Sequence, residues 1–173
     1  MTKKQEKILD VALQLFAAKG YDATSTSKIA KSAGVSEGLI FRHFGNKEGL
    51  LNAIMDQAME KAEKMYEQML VHNDPKKIIK SIILFPFQID PKEFSYWKLM
   101  YALKWQADVY DHTASMPVKN ILVKAFTDLK YENPSAEADL IMILMDGIAT
   151  NILLKKNTKL QDVQIALLNK YKL

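Results

Sequence analysis

Apolar residues recur along this chain with a helical period almost throughout. Between Lys3 and Lys19, Ile8, Val11, Ala12, Leu15 and Phe16 fall at i, i+3, i+4, i+7 and i+8, and this spacing predicts an amphipathic helix. Gly20 ends it. From about Ser27 to Ala33, Ile29, Ala30 and Ala33 share one face of a short helix, with Thr24 to Thr26 available as caps. Gly34 suits the left-handed conformation that closes a helix. Ser36 is a natural cap for a second short helix, about Glu37 to Phe44, which turns Leu39, Ile40 and Phe44 inward. Two short helices joined across Ala33-Gly34-Val35-Ser36 form a helix-turn-helix pattern, whose second helix can lie in the major groove of DNA.

Asn46 then caps a long helix with Lys47 and Glu48 in its first turn, running to about His72. Asn73-Asp74-Pro75 is the sharpest break. Lys76 to Phe87 reads as a helix that Pro86 kinks or ends, although its β-branched residues imitate a strand. Helices follow over about Lys92 to Tyr110, Pro117 to Lys130, Ala136 to Lys156 and Leu160 to Tyr171. The fold class is therefore all-α, with about nine or ten helices and no internal repeat.

The helix-turn-helix stretch resembles the N-terminal DNA-binding domain of TetR-family transcriptional repressors. The matching residues are Gly20-Tyr21, Ile29-Ala30, Ala33-Gly34-Val35-Ser36, Gly38, Phe41, Phe44, Lys47 and Leu50, within roughly residues 5 to 55. The resemblance implies a three-helix DNA-binding domain over 1–50 and a helical ligand-binding and dimerisation domain over 51–173. It implies a ligand-responsive repressor that binds a palindromic operator as a homodimer and is released by a small apolar or aromatic effector. The alternative is a DNA-binding structural or adaptor protein whose C-terminal half is solid core.

Charge placement agrees with a nucleic-acid partner. Residues 1–51 carry eight basic groups against five acids, so +3 of the net +4 lies there. Arg42, the only arginine in the sequence, falls on the short second helix. It can offer a bidentate fork to guanine or a contact to phosphate. The residues expected at DNA are Thr26, Ser27, Glu37, Gly38, Phe41, Arg42, His43 and Lys47. Those at His43 and Lys47 match positions that contact DNA in the family, and Lys47 opens a helix where backbone N–H groups favour phosphate. Thr26 also reads as a plain helix cap. Phe41 stands where tyrosine is common in the family, so a hydroxyl contact to phosphate is missing. Glu37 either accepts from a cytosine amino group or stabilises the helix dipole.

Two further groups stand out. Trp97, Tyr101 and Trp105 recur every four residues. With Tyr66, Met69, Phe85, Met100 and Met142 they make an aromatic and methionine-rich interior, which is either core or a pocket for an apolar ligand. The helices at Pro117–Lys130 and Ala136–Lys156 have wide apolar faces, through Ile121, Leu122, Phe126, Ile141, Leu144, Ile148 and Ile152. These fit a four-helix bundle between two subunits or a central core helix.

Enzyme chemistry finds little support. Gly34-Val35-Ser36-Glu37-Gly38 has the Gly-x-Ser-x-Gly spacing of a nucleophile elbow, but that elbow needs a preceding strand and here a helix precedes it. There is no cysteine, the three histidines show no ligand spacing, and no phosphate loop is present. The expectation is a non-enzyme without metal or cofactor. No secretory signal is visible and the apolar runs fall short of a membrane span, so the expected location is cytoplasmic.

Overall fold

The computed structural model describes residues 1–70, 73–103, 115–155 and 159–173, without the side chains at 58, 59, 61–63, 65, 66 and 68–70. Among them every regular element is helical: α1 (Lys3–Lys19), α2 (Thr26–Ala33), α3 (Glu37–Phe44), α4 (Lys47–Leu70), α5 (Pro75–Leu84), α6 (Phe94–Leu103), α7 (Met116–Asp128), α8 (Pro134–Leu153) and α9 (Leu160–Lys170). Short 3-10 turns lie at Phe85–Gln88 and Pro91–Glu93. The all-α reading holds. The apolar run after Asp74 is helical, and Pro86, lacking an N–H, converts its end into the 3-10 turn.

The chain packs as two compact units, Met1–Ala62 with Lys92–Tyr110, and Glu63–Pro91 with Asp111–Leu173. This differs from a boundary after residue 50. The first unit extends into α4 and takes in α6, because Leu99 and Leu103 are buried in the same core as α1. Local signals set the ends of its helices. Thr2 and Gln5 close α1 with a capping box. Ser25, rather than Thr26, caps α2 by accepting from the Lys28 N–H. Gly34 closes α2 at φ 69°, in the left-handed region. The core gathers Ile8, Leu9, Ala12 and Phe16 of α1, Ile29, Ala30 and Ala33 of α2, Ile40 of α3, and Leu50, Leu51 and Ile54 of α4.

In the second unit α7 and α8 pack along each other, with α5 against α7 and α9 against α5. Its core holds Ile79, Ile82 and Ile83 of α5, Leu122 and Phe126 of α7, Ile141 and Ile148 of α8, and Leu167 and Tyr171 at α9. The Tyr171 hydroxyl donates to Glu137 Oε2 at 3.0 Å, tying the end of α9 to the start of α8. Burial, then this bond and the Glu137 charge, push the Tyr171 hydroxyl well above its ordinary range.

Four of the residues expected at a dimer surface are buried within the chain itself. Leu122, Phe126 and Ile141 are 0 % exposed and Ile148 is 6 % exposed, all within the second unit's core. Ile121, Leu144 and Ile152 are partly buried against that core. The buried parts of the α7 and α8 faces cover each other and their neighbours in the same chain.

Candidate nucleic-acid interface

α3 is held to the first unit by Ile40, fully buried, and by Leu39 and Phe44, packed at the core's edge. At 100° per residue, Gly38, Phe41 and Arg42 share an arc of roughly 100° on the side away from Ile40. All three are exposed. Gly38 has open space where a side chain would begin, and Phe41 is 47 % exposed. The outward arc of α3 thus consists of backbone, one guanidinium and one phenyl ring. A helix so trimmed can approach a groove closely and place Arg42 at base edges.

The remaining expected DNA residues frame this arc. The Thr26 hydroxyl donates to Glu37 Oε1 at 2.6 Å, joining the starts of α2 and α3. This bond gives Glu37 a role within the domain that sequence spacing did not reveal. The Ser36 side chain makes no capping bond, although its backbone opens α3 as expected. Ser27 is exposed on α2. His43 lies on the flank of α3, where its Nδ1 meets Gln5 Nε2 of α1 at 3.4 Å. Gln5 was not among the expected site residues.

Lys47 is half-buried. Its ammonium donates to the Tyr21 carbonyl at 3.1 Å and sits 4.2 Å from the Tyr21 ring centre. It clamps the connection between α1 and α2 to the start of α4. Burial, with smaller effects from Glu48 and Asp22, raises the Tyr21 hydroxyl above its ordinary value. The Asn46 side chain accepts from the Gly49 N–H at 2.7 Å and so caps α4.

The family model of bacterial regulatory proteins, tetR family, matches residues 8–54, spanning α1, the helix-turn-helix and the start of α4. This N-terminal domain belongs to the TetR family. A Bacillus subtilis relative named as an uncharacterized HTH-type transcriptional regulator, YvkB, is 46 % identical over 68 residues, 39 % of this chain and 36 % of YvkB. The Shigella flexneri regulator AcrR is 36 % identical over 83 residues, 46 % of this chain and 38 % of AcrR. The chain spans about a third of the length of these curated relatives. Similarity of fold extends beyond the TetR-family domain. The fatty acid degradation regulator FadR from Bacillus halodurans superposes with a TM-score of 0.71 at 20 % identity, over 99 % of this chain and 95 % of that one. A structure of AibR in complex with isovaleryl coenzyme A and operator DNA matches at a TM-score of 0.62 and 19 % identity, over 87 % and 96 %.

The expected ligand residues fall in different packing environments. Met100 of α6 packs against the first unit's core, while Phe85 and Met142 pack against the second. Trp97 and Tyr101 are half-buried on α6. The side chains of Tyr66 and Met69, and all of Trp105, lie outside the described residues. Within the second unit an open groove of about 190 Å³ runs between α8 and α9, lined by Ile143, Leu144, Gly147, Ile148, Asn151, Leu160 and Val163. It includes none of the expected ligand residues. Beside it lie exposed apolar side chains: Leu140 is 37 % and Ile143 68 % exposed on α8, Leu154 just past its end is 62 % exposed, and Ile165 of α9 is 52 % exposed. The signal was present as apolar residues at 140, 143, 144 and 154, along a helical line interrupted by Gly147 and Asn151.

Proposed function

We propose that this chain is a ligand-responsive transcriptional repressor that binds a palindromic operator as a homodimer and is released by a small apolar effector. The observation that carries the reading is the outward arc of α3, with Arg42 standing on an otherwise trimmed helix within a TetR-family domain. Two copies of α3, roughly 34–36 Å apart, would enter successive major grooves. The exposed stripe of α8 with α9, in place of the buried faces of α7 and α8, is the surface proposed to pair with a second copy.

The effector part draws support from two sources. Several similar proteins carry names tied to fatty acid regulation or, for AibR, an acyl-coenzyme A. The chain itself is rich in aromatic and methionine residues at Phe85, Trp97, Met100, Tyr101 and Met142, with Tyr66, Met69 and Trp105 as further candidates. An acyl chain, alone or as a coenzyme A thioester, is the ligand class proposed. Linkage requires that operator DNA weaken effector binding by the factor with which effector weakens operator binding.

The test begins with a random duplex pool retained by the purified protein. The proposal expects an enriched twofold-symmetric sequence. It also expects fatty acids or acyl-coenzyme A thioesters to release that duplex over the concentration range in which they change tryptophan emission. A pool with no enriched sequence overturns the repressor reading. Enrichment with no release by any acyl compound overturns the effector part alone.

A further inference from the structure

Phe41 is out of place on a polar, solvent-facing arc. The other large apolar side chains of α3, Leu39, Ile40 and Phe44, all pack into the first unit's core. Phe41 points along the arc shared with Gly38 and Arg42, and almost half of its surface meets water. At Gly38, three residues earlier on that arc, there is no side chain to cover the ring and the space is open. A phenyl ring neither donates nor accepts a conventional hydrogen bond, so it adds nothing to phosphate binding through polar contact. Arg42, next to it, supplies the polar contact.

The groups that distinguish bases in the major groove are hydrogen-bond donors and acceptors, with one apolar exception: the C5-methyl of thymine. An exposed ring on the arc that faces the groove has that methyl as its matching partner. We propose that Phe41 is a specificity-determining residue that reads a thymine methyl in each half-site, beside the polar contact made by Arg42. This rests on the proposed binding of operator DNA by α3. Withdrawing a methyl-sized group from water is worth about 0.8 kcal/mol, or about fourfold in affinity.

The experiment takes a duplex enriched from a random pool by the full-length protein and replaces each thymine in turn with deoxyuridine. That change removes the methyl and leaves base pairing intact. For the wild type, one thymine per half-site is expected to show a loss of about fourfold on replacement. Phe41→Ala is expected to bind the thymine and uracil duplexes equally. Phe41→Leu, still apolar, is expected to keep a preference for thymine. Tolerance of uracil at every position by the wild type overturns the inference, as does a uracil penalty that persists undiminished in Phe41→Ala. Weaker binding of Phe41→Ala to all duplexes alike, combined with no uracil penalty in the wild type, would assign the ring to the sugar–phosphate backbone and also overturn it. Should Phe41→Ala fail to fold, the wild-type uracil scan and Phe41→Leu decide alone. A pool that yields no enriched sequence instead removes the operator reading on which the inference stands.

Discussion

Replacing Ile143 with glutamate should separate the proposed dimer into folded monomers. Ile143 is 68 % exposed on the α8 stripe, so a single chain gains little from its side chain. Full burial of an isoleucine is worth about 1.5–3 kcal/mol. Covering the exposed share of one Ile143 is then worth about 1–2 kcal/mol, and of the twofold pair about 2–4 kcal/mol. The loss corresponds to a rise of about 30- to 1,000-fold in the dissociation constant, before the added cost of desolvating two carboxylates. Sedimentation equilibrium across a micromolar range should show wild-type dimers and Ile143→Glu monomers with the helical circular-dichroism signal unchanged. Ile148→Glu is the contrasting variant. Ile148 is 6 % exposed in the second core, so a charge there should unfold that unit. An Ile143→Glu protein that dimerises as tightly as wild type would refute the α8 stripe as the interface.

Tyr171→Phe removes the 3.0 Å bond to Glu137 and should cost about 1 kcal/mol in urea unfolding. Because the folded chain holds the Tyr171 proton more tightly than the unfolded chain, the wild type should lose stability as pH rises above about 10, and Tyr171→Phe should lose less. Gly49→Ala places a methyl against the Phe44 backbone carbonyl, so the end of α3 must shift against α4. A loss of about 1–3 kcal/mol in thermal or urea unfolding is expected, and unchanged stability would show that the junction is loose. Lys47→Met keeps the side-chain stem but removes the ammonium from the Tyr21 carbonyl and ring. It should lower stability in the same assay by about 1 kcal/mol, even without DNA.

The helix-turn-helix was legible in sequence because its signals are local. Gly34, the cap positions and the Ile29-Ala30-Ala33 face depend on neighbours a few residues away, and each is found where the pattern put it. What period alone does not carry is the identity of the partner. Leu122, Phe126 and Ile141 repeat as interface residues would, yet their partners are in the same chain. Ile143 looked like part of the same apolar helix, and only its exposure sets it apart. The same limit applies to α6, whose Leu99 and Leu103 join α1 across a long stretch of chain. Side-chain hydrogen bonds between separate elements were also hidden. Nothing in the spacing of Thr26 and Glu37, or of Tyr21 and Lys47, announces their contact. The outward position of Arg42, by contrast, followed from counting around a short helix.

Binding of an enriched duplex by wild type and Arg42→Ala, measured side by side by fluorescence anisotropy at one salt concentration, tests most directly whether α3 reads DNA. Arg42→Ala should lose about 1–3 kcal/mol per half-site on the enriched duplex, about 5- to 150-fold, and much less on a random duplex. Equal affinity of the two proteins for the enriched duplex would contradict the assignment of α3 as the DNA-reading helix.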